Sequence, residues 1–223
     1  LNLTTPPDRK SELQEIADSA QQEFADTHAA REQGLRLSRE IVRNSANSIR
    51  ATHRGDFDQA HELLGTVTKL ANEAIDLRDE QPRVYYGGYI EDALKEYTEA
   101  ATTLALVEGR PLPTAEDLNV GAAPYLGGLS DTVGEMRRFI LDALRADDFS
   151  RCEELLDVMD ETYTVLVTMD YPDAITRGLR RSTDMVRGIL ERTRGDLTIA
   201  LRQKRLEERL AQTERLASLD QPG

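Results

Sequence analysis

Four acidic residues stand at helical spacing in two short segments: Glu96 and Glu99 at i, i+3, and Asp131 and Glu135 at i, i+4. On a helix each such pair projects from one face. Two helices that bring those faces together build an oxygen-only cage. Such a cage suits a hard cation such as Mg2+ or Mn2+, which activates water and neutralises charge on a scissile phosphate. The chain holds 41 Asp and Glu in 223 residues, so pairs at helical spacing also arise by chance, and a solvated surface is the plain alternative. Helical-wheel placement favours that alternative. Ile90, Leu94, Tyr97, Ala101 and Leu104 form an apolar face opposite Glu96 and Glu99, while Leu129, Met136, Ile140 and Leu144 form one that excludes Asp131 and Glu135. Amphipathicity alone therefore predicts four solvated acids.

A second pattern has the opposite sign. Arg36, Arg39, Arg43 and Arg50 fall within about 60° of one another on a wheel, with Asn47 beside them. Arginine suits phosphate because its planar fork donates two hydrogen bonds at once; the other reading is that these side chains pair with acidic faces of neighbouring helices. Arg137 and Arg138 follow the second acid pair and are further candidates for phosphate. Tyr85, Tyr86 and Tyr89 cluster nearby in sequence, either to stack on bases or to pack in the core.

The elements that must position these residues are helices. No proline occurs between Pro7 and Pro82, and Ala, Leu, Glu, Gln and Arg dominate that stretch. The pattern predicts one long helix over 10–52, a stop at Arg54-Gly55, and a second helix over 57–78 capped by Asp56. Pro82 opens a third, expected to run to Val107. Gly109, Pro111, Pro113 and Gly121 mark an extended loop. Helices over 125–146, 149–169 and 172–194 follow, with Gly195-Asp196 as a break or bend before a helical tail to Ala217. No segment alternates as a strand does. The fold class is all-α: one domain over 1–223, a bundle of six or seven helices with flexible ends over 1–9 and 218–223. Met185, Ile189, Leu190, Leu197, Leu201, Leu206 and Leu210 continue an apolar stripe that either docks on the bundle or packs on another subunit.

The composition sets limits on function. Lys and Arg number 28, giving a formal charge of −13 and a pI near 4.8. An acidic chain is repelled by nucleic acid unless basic residues gather locally. No apolar run reaches the ~18 to 20 residues of a membrane span. One cysteine, Cys152, and three histidines, His28, His53 and His61, leave no Cys-rich or His-rich metal centre. A soluble, cytoplasmic protein is the expectation.

Two segments carry a resemblance. Glu96-Tyr97-Thr98-Glu99-Ala100 resembles the E-Y-x-E-A segment of translin-associated factor X. Tyr125-Leu126-Gly127-Gly128-Leu129-Ser130-Asp131-Thr132-Val133-Gly134-Glu135-Met136-Arg137-Arg138 resembles its Y-L-L-G-x-x-D-L-T-G-E-L-M-R segment. Leu37-Ser38-Arg39, Ile41 and His53-Arg54 resemble the family's first helix, and Tyr85-Tyr86 the entry to its third. On these motifs the chain is identified as a compact, archaeal-type member of the translin superfamily. The resemblance implies an all-α fold assembled into closed, barrel-like homo-oligomers that bind single-stranded RNA or single-stranded DNA. In the factor X branch it further implies Mg2+-dependent cleavage of RNA, with Glu96, Glu99, Asp131 and Glu135 as both the catalytic and the metal-binding acids. Arg36, Arg39, Arg43 and Arg50, with Arg137 and Arg138, are then the nucleic-acid-binding candidates. A non-catalytic RNA- or DNA-binding oligomer stays open as the alternative.

Overall fold

The computed structural model describes residues 9–219; residues 1–8 and 220–223, assigned above to flexible ends, lie outside the described residues. Arg9, Ser218 and Leu219, assigned to the same flexible ends, are helical. Eight helices are present among the described residues: α1 (Arg9–His53), α2 (Phe57–Glu80), α3 (Pro82–Tyr85), α4 (Tyr89–Val107), α5 (Ala122–Arg145), α6 (Cys152–Val167), α7 (Asp173–Thr176) and α8 (Leu179–Leu219). Two of them, α3 and α7, are about a single turn long.

The α1–α2 turn is built as its sequence predicts. Gly55 takes a left-handed φ of 74°, and the Asp56 carboxylate accepts from the Gln59 backbone N–H at 3.3 Å, which satisfies one of the free donors of a helix start. The expected third helix is interrupted. Pro82 starts a turn that ends at Tyr86, and Gly88 adopts φ 102°, a conformation that only glycine takes without strain. The chain redirects there before α4 begins. Of the break or bend expected at Gly195-Asp196, the break does not occur: α8 runs on through it.

Two apolar clusters hold the helices. One gathers Leu37 and Ile41 of α1, Val67, Ala71 and Ile75 of α2, and Ile90, Leu94 and Tyr97 of α4. The other gathers Leu106 and Val107 from the end of α4, Met136 and Ile140 of α5, Leu155 and Met159 of α6, and Val186, Leu190 and Leu197 of α8. α4 belongs to both. Of its 19 residues, 13 are buried, so it has no broad solvated face. The one-sided wheel fails for this helix because α1 and α2 cover one side and α5 the other.

Both long helices outrun the bundle. Burial in α1 begins only at Gly34, and Leu13, Ile16 and Phe24 are 65%, 64% and 70% exposed. The apolar stripe of α8 divides: Leu190 and Leu197 are buried in this chain, whereas Leu206 and Leu210 are exposed.

Candidate metal centre and nucleic-acid interface

Close approach of α4 and α5 makes the site. A Cβ placed on Gly128 would stand 2.5 Å from the Lys95 carbonyl oxygen, 2.6 Å from Thr98 Cβ and 2.9 Å from the Glu99 nitrogen, distances no real side chain tolerates. Gly128 therefore lets the two backbones touch one turn before Asp131. Next along the seam the hydroxyls of Thr102 and Thr132 meet at 2.6 Å, each within donating distance of a carbonyl of its own helix, Thr98 and Gly128, so both hydroxyls are satisfied.

At that crossing Glu96, Glu99 and Asp131 each offer a carboxylate oxygen, and these lie within 4.8 Å of one another. All three are half-buried, as is Glu135, so none is the solvated acid that amphipathicity predicts. Burial first, and then the charges of Glu96, Asp131 and Glu135, push the Glu99 carboxyl up to about 8, with Lys95 opposing. Burial raises Glu96 as well, against Lys95 and with Asp131. Carboxylates crowded so that they resist ionisation are a frequent mark of a functional site. The donor set is all oxygen, the ligand chemistry that Mg2+ and Mn2+ prefer. These three residues fit a Mg2+ or Mn2+ ion.

Glu135, the fourth predicted acid, is held apart. His53 Nε2 lies 2.5 Å from its Oε2 and Arg138 Nη1 lies 3.6 Å from the same oxygen. The hydrogen bond from His53 outweighs burial and, with the charges of His53 and Arg138, keeps the Glu135 carboxyl below its usual range. Two site residues escape the sequence reading. One is His53, which the sequence offers as one of three histidines and as part of the resemblance in the first helix, with no site role attached. The other is Lys95, whose Nζ sits 2.5 Å from Asp131 Oδ2; a lysine beside a glutamate on a helix carries no signal of its own.

The arginines divide. Arg36, Arg39, Arg43 and Arg50 are all exposed on α1. None pairs with a neighbouring helix: Arg36 reaches Glu40 at 3.4 Å on its own helix, Arg39 donates to the Leu35 carbonyl, and Arg50 donates to Asn47. The stripe lies upstream of His53 on α1, and His53 in turn meets Glu135 of α5. Arg138 is exposed at the cluster's edge. Arg137, the other candidate, braces α5 to α8, donating to Thr193 at 3.1 Å and pairing with Asp196 at 2.8 Å. Of the tyrosines, Tyr85 is buried and stacks edge-on against Tyr86 at 4.9 Å, Tyr89 packs on Gly34, and Tyr86 is exposed.

The chain as a whole is similar to known proteins. An uncharacterized protein of Methanocaldococcus jannaschii is 30% identical over 188 residues, covering 84% of this chain and 83% of that protein. AfC3PO, solved alone and as a complex with duplex RNA, superposes with a TM-score of 0.77 at 33% identity, over 83% of this chain and 96% of AfC3PO. The chain belongs to the translin superfamily. Apo-NeC3PO shares the fold, with a TM-score of 0.76 at 20% identity over 88% of this chain and 99% of that one. No protein-family model matches. In this bundle α1 packs on α4, and its last residue, His53, meets α5 at Glu135. No helix of the described residues is long and apolar enough to cross a membrane.

Proposed function

We propose that this translin-superfamily protein is a Mg2+-dependent endoribonuclease that cleaves single-stranded RNA by metal-assisted phosphodiester hydrolysis. The observation that carries this reading is the convergence of Glu96, Glu99 and Asp131 at one crossing, with oxygens within 4.8 Å. When bound there, the ion supplies a nucleophile from water at neutral pH and offsets charge on the phosphate in the transition state. The chain's own residues do the rest. Glu96, Glu99 and Asp131 hold the ion; Glu135, fixed by His53, keeps its negative charge beside the reacting centre; Arg138 stands where a phosphate oxygen would approach. Arg36, Arg39, Arg43 and Arg50 guide the strand through charge-assisted contacts with its backbone, a mode that does not read sequence.

RNA as the ligand is supported by AfC3PO, a 33% identical structure solved with duplex RNA; single-stranded DNA offers the same backbone charge. The net charge of −13 confines such binding to the arginine stripe. We place the protein in closed homo-oligomers in the cytoplasm. The exposed apolar residues on the overhanging halves of α1 and α8, Leu13, Ile16 and Phe24 with Leu206 and Leu210, supply faces on which copies can meet.

The reading is tested with labelled single-stranded and duplex RNA incubated in Mg2+ or in EDTA. Internal cleavage of the single strand that stops in EDTA is expected. Tight binding with no cleavage at any Mg2+ or Mn2+ concentration overturns the enzyme and leaves the non-catalytic RNA- or DNA-binding oligomer.

A further inference from the structure

The acid site contains a cation of its own. Lys95 Nζ sits 2.5 Å from Asp131 Oδ2, which places a positive charge against one of the three clustered carboxylates. Its reach is built into the helix crossing. The lysine stem crosses from α4 to α5 over Gly127, where a Cβ would stand 2.9 Å from Lys95 Cδ and 3.1 Å from Cγ. Any side chain at position 127 would compete for that slot, so the glycine and the lysine act as a pair. The lysine side chain is about two-thirds covered, at 36% exposure, which weakens solvent screening of its charge.

Charge counting then sets the occupancy. Glu135 is already answered by His53 and Arg138. The remaining cluster, Glu96, Glu99 and Asp131, carries three negative charges when fully ionised. Lys95 cancels one, and a single divalent ion cancels the other two. A second divalent ion would leave the half-buried site with two excess positive charges, an expensive state where water is scarce. Asp131 has two oxygens, so it can keep Lys95 on one and offer the other to the ion.

We infer that Lys95 stands in for a second metal ion, so that the site takes one divalent cation per chain. This rests on the metal-site reading above and goes beyond it by fixing stoichiometry and naming the residue that sets it. The test is Mn2+ binding to the full chain, followed by calorimetry and by the paramagnetic resonance signal of free Mn2+. Three proteins are compared: wild type, Lys95→Met, which keeps the stem over Gly127 and removes the charge, and Lys95→Arg, which keeps the charge. The wild type and Lys95→Arg should each bind one Mn2+. Lys95→Met should bind two, the first about tenfold or more tighter, in line with the effect of residues that tune a metal's ligands. One Mn2+ at unchanged affinity in Lys95→Met, or two in the wild type, overturns the role of Lys95 while leaving the metal site standing. No Mn2+ bound by the wild type overturns the metal site itself.

Discussion

His53, the last residue of α1, places Nε2 2.5 Å from Oε2 of Glu135 on α5. The pair joins the helix that carries the arginine stripe to the helix that carries Asp131, and it does so deep in the chain, with the His53 side chain only 4% exposed. It explains why Glu135 stands outside the group of three. It also predicts that His53 acts by positioning. His53→Ala should lower cleavage about 10- to 100-fold, the range found when partners of metal-site residues are removed. RNA affinity measured in EDTA should be unchanged, and His53→Gln, which can still donate to Glu135, should recover part of the rate.

The α4–α5 contact should be intolerant at Gly128 and tolerant at Gly134. Gly128→Ala forces atoms at 2.5 and 2.6 Å to part and should cost about 1–3 kcal/mol, as overpacking does, while abolishing Mn2+ binding. Gly134, on the same helix, has nothing within 4 Å of an added Cβ, and Gly134→Ala should stabilise by about 0.5–1 kcal/mol through helix propensity. Thermal melts with and without Mn2+ read both effects.

Glu99 makes stability depend on pH with a defined sign. Its carboxyl is raised from 4.5 to about 8 in the fold. Below the lower value both folded and unfolded chains hold the proton; between the two, only the folded chain does. Its contribution is therefore fully present below pH 4.5 and is lost as pH rises towards about 8. Glu99→Gln should match the wild type near pH 4.5 and exceed it at pH 8 by on the order of 1–2 kcal/mol, the usual gain when a strained functional residue is removed. Denaturant midpoints at the two pH values test this. The same substitution should abolish cleavage.

The arginines should separate by salt dependence. On the proposed function Arg39→Ala and Arg43→Ala should each remove one phosphate contact, weaken RNA binding and reduce the slope of log K against log salt by about 0.7–1. Arg137→Ala should leave that slope unchanged and lower the melting temperature instead, because Arg137 is spent on Thr193 and Asp196 of α8.

How much of this was legible in the sequence depends on which physical rule governed each element. The α1–α2 turn was readable from Arg54-Gly55-Asp56 because capping chemistry is local. The break after Tyr86 was missed because Gly87-Gly88 sits in an otherwise helical pattern, and only the φ of 102° at Gly88 shows the chain turning. The continuity of α8 through Gly195 depends on neighbours distant in sequence, including the Arg137–Asp196 ion pair. The four acids were found by spacing and resemblance, while the wheel put them in solvent because it assumes one buried face per helix. α4 has two. Lys95 was illegible, since its meaning comes from a glycine slot on another helix.

The proposed function requires that the carboxylates at the α4–α5 seam drive cleavage through a divalent ion. Single-turnover cleavage of a labelled single-stranded RNA by wild type and Asp131→Asn, with each protein saturated by RNA and supplied with Mg2+, tests it most directly. A loss of at least about 10³-fold in rate is expected for Asp131→Asn, the scale of losing a key electrostatic group in a transition state, with RNA binding retained. Cleavage by Asp131→Asn at the wild-type rate would contradict it.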